Sequence, residues 1–254
     1  MVSWCRGRVQ MDPKISREAS SITMGDVHIL YDHLEEETPF AFARFNDGEL
    51  AGIIKPGTVV ARGDQLVDET LQQSLIRSIG YTQPYYYVGI PCPKCFPHFH
   101  MVAAGIVHPD SPILPAVALT NMNLGKTQRE FTRIMKERRW SWLGGEDQDI
   151  TKLPWYNISN SRYNVHLEEK YPKQNCWAVA KEIEEKIDLF EEGEVVFLSL
   201  GPTSRPLTAL FFSKRPDVTF IDIGSTFDNY TRDVWLKCHK FTVPHCHVCN
   251  SNVR

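Results

Sequence analysis

The chain has 254 residues, 42% hydrophobic and 23% charged, and its 28 basic against 31 acidic side chains leave a formal charge of -3. That is the composition of a globular domain able to bury a substantial core, and it lacks the basic excess of a nucleic-acid-binding domain. No apolar run approaches the roughly 18 residues of a membrane-spanning helix and the first residues lack a secretion signal's apolar centre, so the expected location is cytoplasmic.

Residues 1–22 are polar and aperiodic and read as a loosely held arm before a single domain, 23–254. Val27, Leu30, Tyr31 and Leu34 recur at i, i+3, i+4 and i+7, which predicts a helix with one apolar face, ending at Glu35, Glu36, Glu37 and Pro39. Residues 40–50, Phe-Ala-Phe-Ala-Arg-Phe-Asn-Asp-Gly-Glu-Leu, read as a short buried strand followed by a tight turn at Gly48. Glycine opens backbone angles closed to other residues, so such a turn lets Asp47 and Glu49 face one ligand. Two carboxylates in that position can hold a divalent metal, although such a pair alone is more often a solvated corner or a helix cap. Arg44 lies where it can meet an anion bound by such a metal.

After the loop at Lys55-Pro56-Gly57, Asp64 is placed to cap a helix whose Leu71, Leu75 and Ile79 recur every four residues until Gly80. Residues 85–90 are strand formers running into Pro91, and 116–120 form an unalternating apolar run of the kind expected of a strand covered on both faces. Residues 128–138 put Phe131, Ile134, Met135 and Arg138 on one helical face, and 140–143 read as a strand. Residues 149–173 have no clear period and four aromatics, which reads as a long loop or an insertion near a site. Ala180, Ile183, Ile187 and Phe190 mark a helix that stops at Gly193. A strand at 195–200, a turn at 201–204, a helix around 207–212 and a strand at 218–224 complete the pattern. Strands alternating with helices at this spacing predict an α/β fold, a Rossmann-like, largely parallel sheet with helices on both faces.

In open α/β sheets ligands bind beyond the C-terminal ends of the strands. The turns at 46–49, 89–91, 201–204 and 222–225 all fall at such ends. Turns need Gly, Pro, Asp and Ser for structural reasons too, so it is their convergence that points to a site. In Leu200-Gly201-Pro202-Thr203-Ser204, Thr203 or Ser204 is expected to cap the next helix and leave its N–H groups open to a phosphate. The segment has neither the P-loop nor the Gly-x-Gly-x-x-Gly sequence, which argues against an NTPase or a dehydrogenase.

Cys92-Pro93-Lys94-Cys95 and Cys246-His247-Val248-Cys249 are two Cys-x-x-Cys pairs among seven cysteines. The odd count favours reduced thiols over a disulfide framework. Together Cys92, Cys95, Cys246 and Cys249 have the makings of a structural Cys₄ zinc site tying the Cys/His-rich tail, 238–254, to the loop after residue 90. His98, His100, His239 and His245 crowd the same segments and could replace a cysteine. The alternative is thiols in two unrelated loops.

Taken in order, Arg44-Phe45-Asn46-Asp47-Gly48-Glu49, Gly89-Ile90-Pro91, Leu200-Gly201-Pro202-Thr203 and Ile221-Asp222-Ile223-Gly224 resemble the GT-D-type glycosyltransferases. That family has an Arg-Phe-Gly-Asp-Gly-Glu motif near its start and Gly-Pro-Thr and Asp-Ile-Gly near its end, and the resemblance covers about residues 40–230. It implies a GT-D-like fold and transfer of a sugar from a nucleotide-diphosphate donor, a UDP-sugar, to a hydroxyl of a glycan or other acceptor. It also implies Mn²⁺ or Mg²⁺ held by Asp47 and Glu49, with Arg44, Asn46 and Gly48 supporting the metal and diphosphate. Gly201, Pro202, Thr203, Ser204 and Gly224 become walls of the donor pocket. Asn46 stands where the family has Gly, a change that asparagine's access to left-handed angles makes tolerable. Ser225 stands where His is expected, which leaves that position without a role.

If the transfer inverts configuration, a base must take the acceptor's proton; Glu146, after the strand at 140–143, and Asp222 are the candidates. Each is as well placed to be a cap or a ribose ligand. Trp155, Tyr156 and Tyr163 can stack on an acceptor sugar, or serve as core or lid. Two other classes use similar residues. A metal-dependent phosphoryl-transfer or hydrolytic enzyme needs further Asp or His ligands that cannot be pointed to, and a zinc-organised binding module would keep only a degenerate sugar-nucleotide pocket.

Overall fold

The computed structural model describes residues 3–5, 8–10, 25–26, 28–60, 65–118, 126–145, 147–157, 161–167, 184–185, 187–224 and 226–232. Its elements are β1 (Ser3–Cys5), β2 (Arg8–Gln10), α1 (His28–Glu35), β3 (Ala41–Arg44), α2 (Asp47–Ile54), β4 (Thr58–Val60), β5 (Gln65–Val67), α3 (Glu69–Ile79), β6 (Tyr86–Ile90) and α4 (Pro97–Ala104). There follow β7 (Ile113–Pro115), α5 (Lys126–Glu137), β8 (Trp140–Gly145), β9 (Ser161–Leu167), β10 (Val195–Ser199), α6 (Ser204–Lys214), β11 (Thr219–Asp222) and α7 (Asp228–Thr231). Seven strands form one sheet in the order β7-β6-β3-β11-β10-β8-β9, and each neighbouring pair is parallel. The expected α/β architecture is therefore the observed one.

The sheet is buried on both faces, and the period-2 alternation of its strands feeds two separate cores. Ala41 and Ala43 on β3, Val88 on β6, Val196 and Leu198 on β10 and Phe220 on β11 pack against α2, α3 and α6 through Leu50, Leu71, Leu75, Leu207 and Phe211. The intervening residues Phe42, Tyr87, Phe197 and Ile221 face α1 and α5, meeting Leu30, Leu34, Phe131 and Met135. Fully burying one such side chain contributes about 1.5–3 kcal/mol, so the double-sided arrangement fixes strand register firmly. Gly89 on β6 gives way to an aromatic: a Cβ there would lie 2.8 Å from Phe42 Cζ on the adjacent strand.

Several local expectations are corrected. The acids of the Asp-x-Glu lie in the first turn of α2, and Gly48 is an ordinary helical residue rather than the pivot of a tight turn. The cap of α3 is Asp68, whose carboxylate accepts the Leu71 N–H at 2.7 Å; Asp64 lies outside the described residues, and 65–67 are strand. The strand expected at 116–120 sits at Ile113–Pro115. The supposed loop at 149–173 contains edge strand β9, and the arm contains the β1–β2 hairpin. Of the helix expected from Ala180 to Phe190, the described residues include Glu184, which is helical, and a 3₁₀ turn at Ile187–Leu189.

Candidate functional site

β3 and β11 lie side by side in the sheet, and both end in polar residues. Arg44 closes β3 and Asp222 closes β11. The Asp222 carboxylate links the two ends: Oδ2 accepts the Arg44 backbone N–H at 3.2 Å, and Oδ1 accepts that of Gly224 at 3.1 Å. Asp222 is fully buried. Burial pushes its carboxyl upward from the usual range, against the pull of Arg205 and Arg44, which favour the charged form.

Arg205, one residue into α6, is the centre of the site and was not foreseen. Its side chain is only 2% exposed. Nε donates to the Arg44 carbonyl at 2.7 Å and lies 2.9 Å from Asp222 Oδ2. One Nη lies 3.1 Å from Glu49 Oε1, and the other donates to the Gly201 carbonyl. Glu49 Oε2 in turn accepts the Asn46 N–H at 2.9 Å, the glutamate half of a capping box that starts α2. Asn46 is extended, with φ -114°, so its tolerance of left-handed angles is not used. Arg44 is also buried; desolvation lowers its proton affinity, with Asp222 the chief opposing charge. Glu49 and Asp222 are thus matched by two guanidiniums within one desolvated cluster.

Two glycines make room for this cluster. Gly224 has φ +49°, and a Cβ on it would stand 2.4 Å from an Arg44 Nη. Gly201 has φ +57°, and its Cβ would stand 1.9 Å from Gln65 Oε1. Both positions need left-handed angles and the absence of a side chain. Gln65, from the β4–β5 hairpin, is buried against the Gly201 turn, and neither its Oε1 nor Thr203 Oγ1 has a hydrogen-bond partner among the described residues. Behind Gly224, its carbonyl accepts from Ser199 Oγ at 2.9 Å, Ser199 accepts from Gln148 at 2.7 Å, and Gln148 accepts from the Trp142 indole at 3.1 Å. The ends of β8, β10 and β11 are thereby joined.

The other expected residues divide clearly. Pro202, Thr203 and Ser204 are buried in the 3₁₀ turn Gly201–Thr203 and the start of α6. Ser204 Oγ accepts the Leu200 N–H at 2.9 Å, and Thr203 makes no side-chain cap, so neither caps α6 as expected. Asp47 is exposed at the start of α2. Glu146, Ser225, Cys246, Cys249, His239 and His245 lie outside the described residues. Cys92 is buried, Cys95 half-buried and His98 exposed, while His100 is buried with Nδ1 donating to the Pro91 carbonyl at 2.8 Å. Trp155 is core, enclosed by Phe131, Phe197 and Phe227, and does not present a stacking face.

Each carboxylate oxygen of Glu49 and Asp222 already meets a guanidinium or a backbone N–H, so a divalent ion between them would have to compete with Arg205. No group of three His, Cys, Asp or Glu side chains able to hold a metal occurs among the described residues. Nor is any described helix long and apolar enough to cross a membrane. What the cluster offers is a charge-matched, preorganised network of two guanidiniums and two carboxylates at the strand ends.

No family model and no curated protein matches the chain. Solved structures do. One is of the domain of unknown function 1792 (DUF1792), described as having a distinct glycosyltransferase fold, with a TM-score of 0.62 and 15% identity over 85% of this chain and 84% of that one. Another, a new glycosyltransferase (DUF1792) from Streptococcus sanguinis, gives 0.62 and 15% over 91% and 92% of the two chains. The chain has the α/β fold of these glycosyltransferase structures.

Proposed function

We propose that the chain is a glycosyltransferase that moves a sugar from a nucleotide-diphosphate donor, a UDP-sugar, to a hydroxyl of a glycan or other acceptor. The observation that carries this reading is the convergence of Arg44, Glu49, Arg205 and Asp222 at the adjoining ends of β3 and β11, in a fold shared with glycosyltransferase structures. When the sugar departs, negative charge builds on the diphosphate, and the Arg44 guanidinium, held by a preorganised desolvated network, offsets it without rearranging water. Asp222 holds the two strand ends and Arg205 in place, and its enclosure keeps it from an acceptor's proton. If the transfer inverts configuration, Glu146 is the proposed base.

The Mn²⁺ or Mg²⁺ that the resemblance implies is proposed to meet the protein at exposed Asp47 and otherwise at the donor's own phosphates, a common mode for Mg²⁺. A structural zinc on Cys92, Cys95, Cys246 and Cys249 is a separate proposal, tested by metal analysis of the purified protein. Zinc well below one per chain rules it out.

The function is tested by incubating the protein with UDP-sugars, with and without Mn²⁺, and following release of UDP. Turnover specific to a sugar nucleotide supports the reading. Equal cleavage of simple phosphate esters indicates a hydrolase, and nucleotide binding without turnover indicates a binding module.

A further inference from the structure

Arg205 occupies an unusual setting for a guanidinium. Four oxygens surround it: Glu49 Oε1, Asp222 Oδ2 and the carbonyls of Arg44 and Gly201. Two carboxylates and two carbonyls form an all-oxygen donor set, the kind that hard divalent cations prefer. They come from four separate places: the end of β3, the first turn of α2, the end of β11 and the turn before α6. Arg205 itself enters from α6, and its side chain is sealed from solvent.

We propose that Arg205 is a built-in cation, filling an oxygen cage that would otherwise accept a divalent metal, so that Glu49 and Asp222 are closed to metal in this protein. The guanidinium supplies charge permanently, whereas a bound ion supplies it only at sufficient concentration. Arginine suits the role because its planar fork reaches several acceptors at once and stays charged when buried. Arg205 is then a positioning residue. It holds Glu49 as the start of α2 and ties α6 to the ends of β3 and β11.

The inference rests on geometry and not on the reaction, so its test contains no donor. Mn²⁺ is titrated against the wild type, Glu49→Gln, Arg205→Ala and the Glu49→Gln/Arg205→Ala double variant, followed by Mn²⁺ electron paramagnetic resonance and by thermal unfolding. Arg205→Ala should unfold at a lower temperature than the wild type and should gain Mn²⁺ affinity by about tenfold or more, with recovery of its unfolding temperature as Mn²⁺ is added. The double variant should lose that gain. In the wild-type background Glu49→Gln should leave Mn²⁺ binding unchanged. A folded Arg205→Ala with no gain overturns the proposal, as does wild-type Mn²⁺ binding that disappears in Glu49→Gln. That second comparison decides the matter if Arg205→Ala does not fold.

Discussion

Arg205 and Asp222 meet at 2.9 Å with side chains 2% and 0% exposed, joining the helix that follows β10 to the strand beside β3. Removing one partner of such a pair leaves an unmatched charge in a desolvated place. Asp222→Asn should therefore cost about 3–5 kcal/mol in denaturant unfolding, far more than a surface substitution. A loss of less than about 1 kcal/mol would mean that the pair is not sealed from water.

Gly224→Ala tests the room that the cluster needs. The substitution asks an alanine to adopt φ +49° and to share space with the Arg44 guanidinium. Left-handed strain alone costs about 1–2 kcal/mol, and the collision should push Arg44 out of its place. Stability should fall by at least the strain, with UDP affinity falling as well; normal UDP affinity in thermal-shift titrations would show that Arg44 is not needed for the nucleotide.

Asp47 and Glu49 should behave differently although one residue apart. Asp47→Asn, at an exposed site, should change stability by about 0.5 kcal/mol or less and reduce only the Mn²⁺-stimulated part of turnover. Glu49→Ala removes the partner of both Arg205 and the Asn46 N–H, so it should lower stability by at least about 1–3 kcal/mol. Equal stability losses in the two variants would contradict the division drawn here.

His33 makes stability sensitive to pH. Its Nε2 lies 2.7 Å from the Tyr87 hydroxyl, and Phe40, Tyr85 and Tyr87 surround the ring. Burial lowers its proton affinity, opposed by Glu36 and Asp32. A histidine whose folded pKa lies below its unfolded value is protonated more readily when unfolded. Its contribution is therefore present above the ordinary histidine range, near pH 6.5, and is lost as pH falls through it. Urea unfolding from about pH 7.5 down to 5.5 should show a decline that His33→Gln flattens, and an unchanged slope in the variant removes His33 as the cause.

The strands that carry the site were legible because each is buried on both faces and so reads as a largely apolar run: 40–43, 86–90, 195–198 and 218–221. Strand β9, Ser-Arg-Tyr-Asn-Val-His-Leu, is an edge strand without such a run, and β5 is only three residues long, so neither stood out. Gly48 drew attention as a turn residue, yet Asn46 followed by Glu49 at the third helical position is a capping-box spacing, the signal in the sequence that marks the start of α2 and was passed over. Arg205 had no comparable signal. It meets the Arg44 carbonyl across a separation of 161 residues, a contact that only the folded topology creates.

The β4–β5 hairpin pairs with no strand of the main sheet, yet it delivers Gln65 to the Gly201 turn. Val60 and Val67 anchor it in the core beneath α2, so the hairpin holds Gln65 at the Gly201 turn by packing rather than by strand pairing.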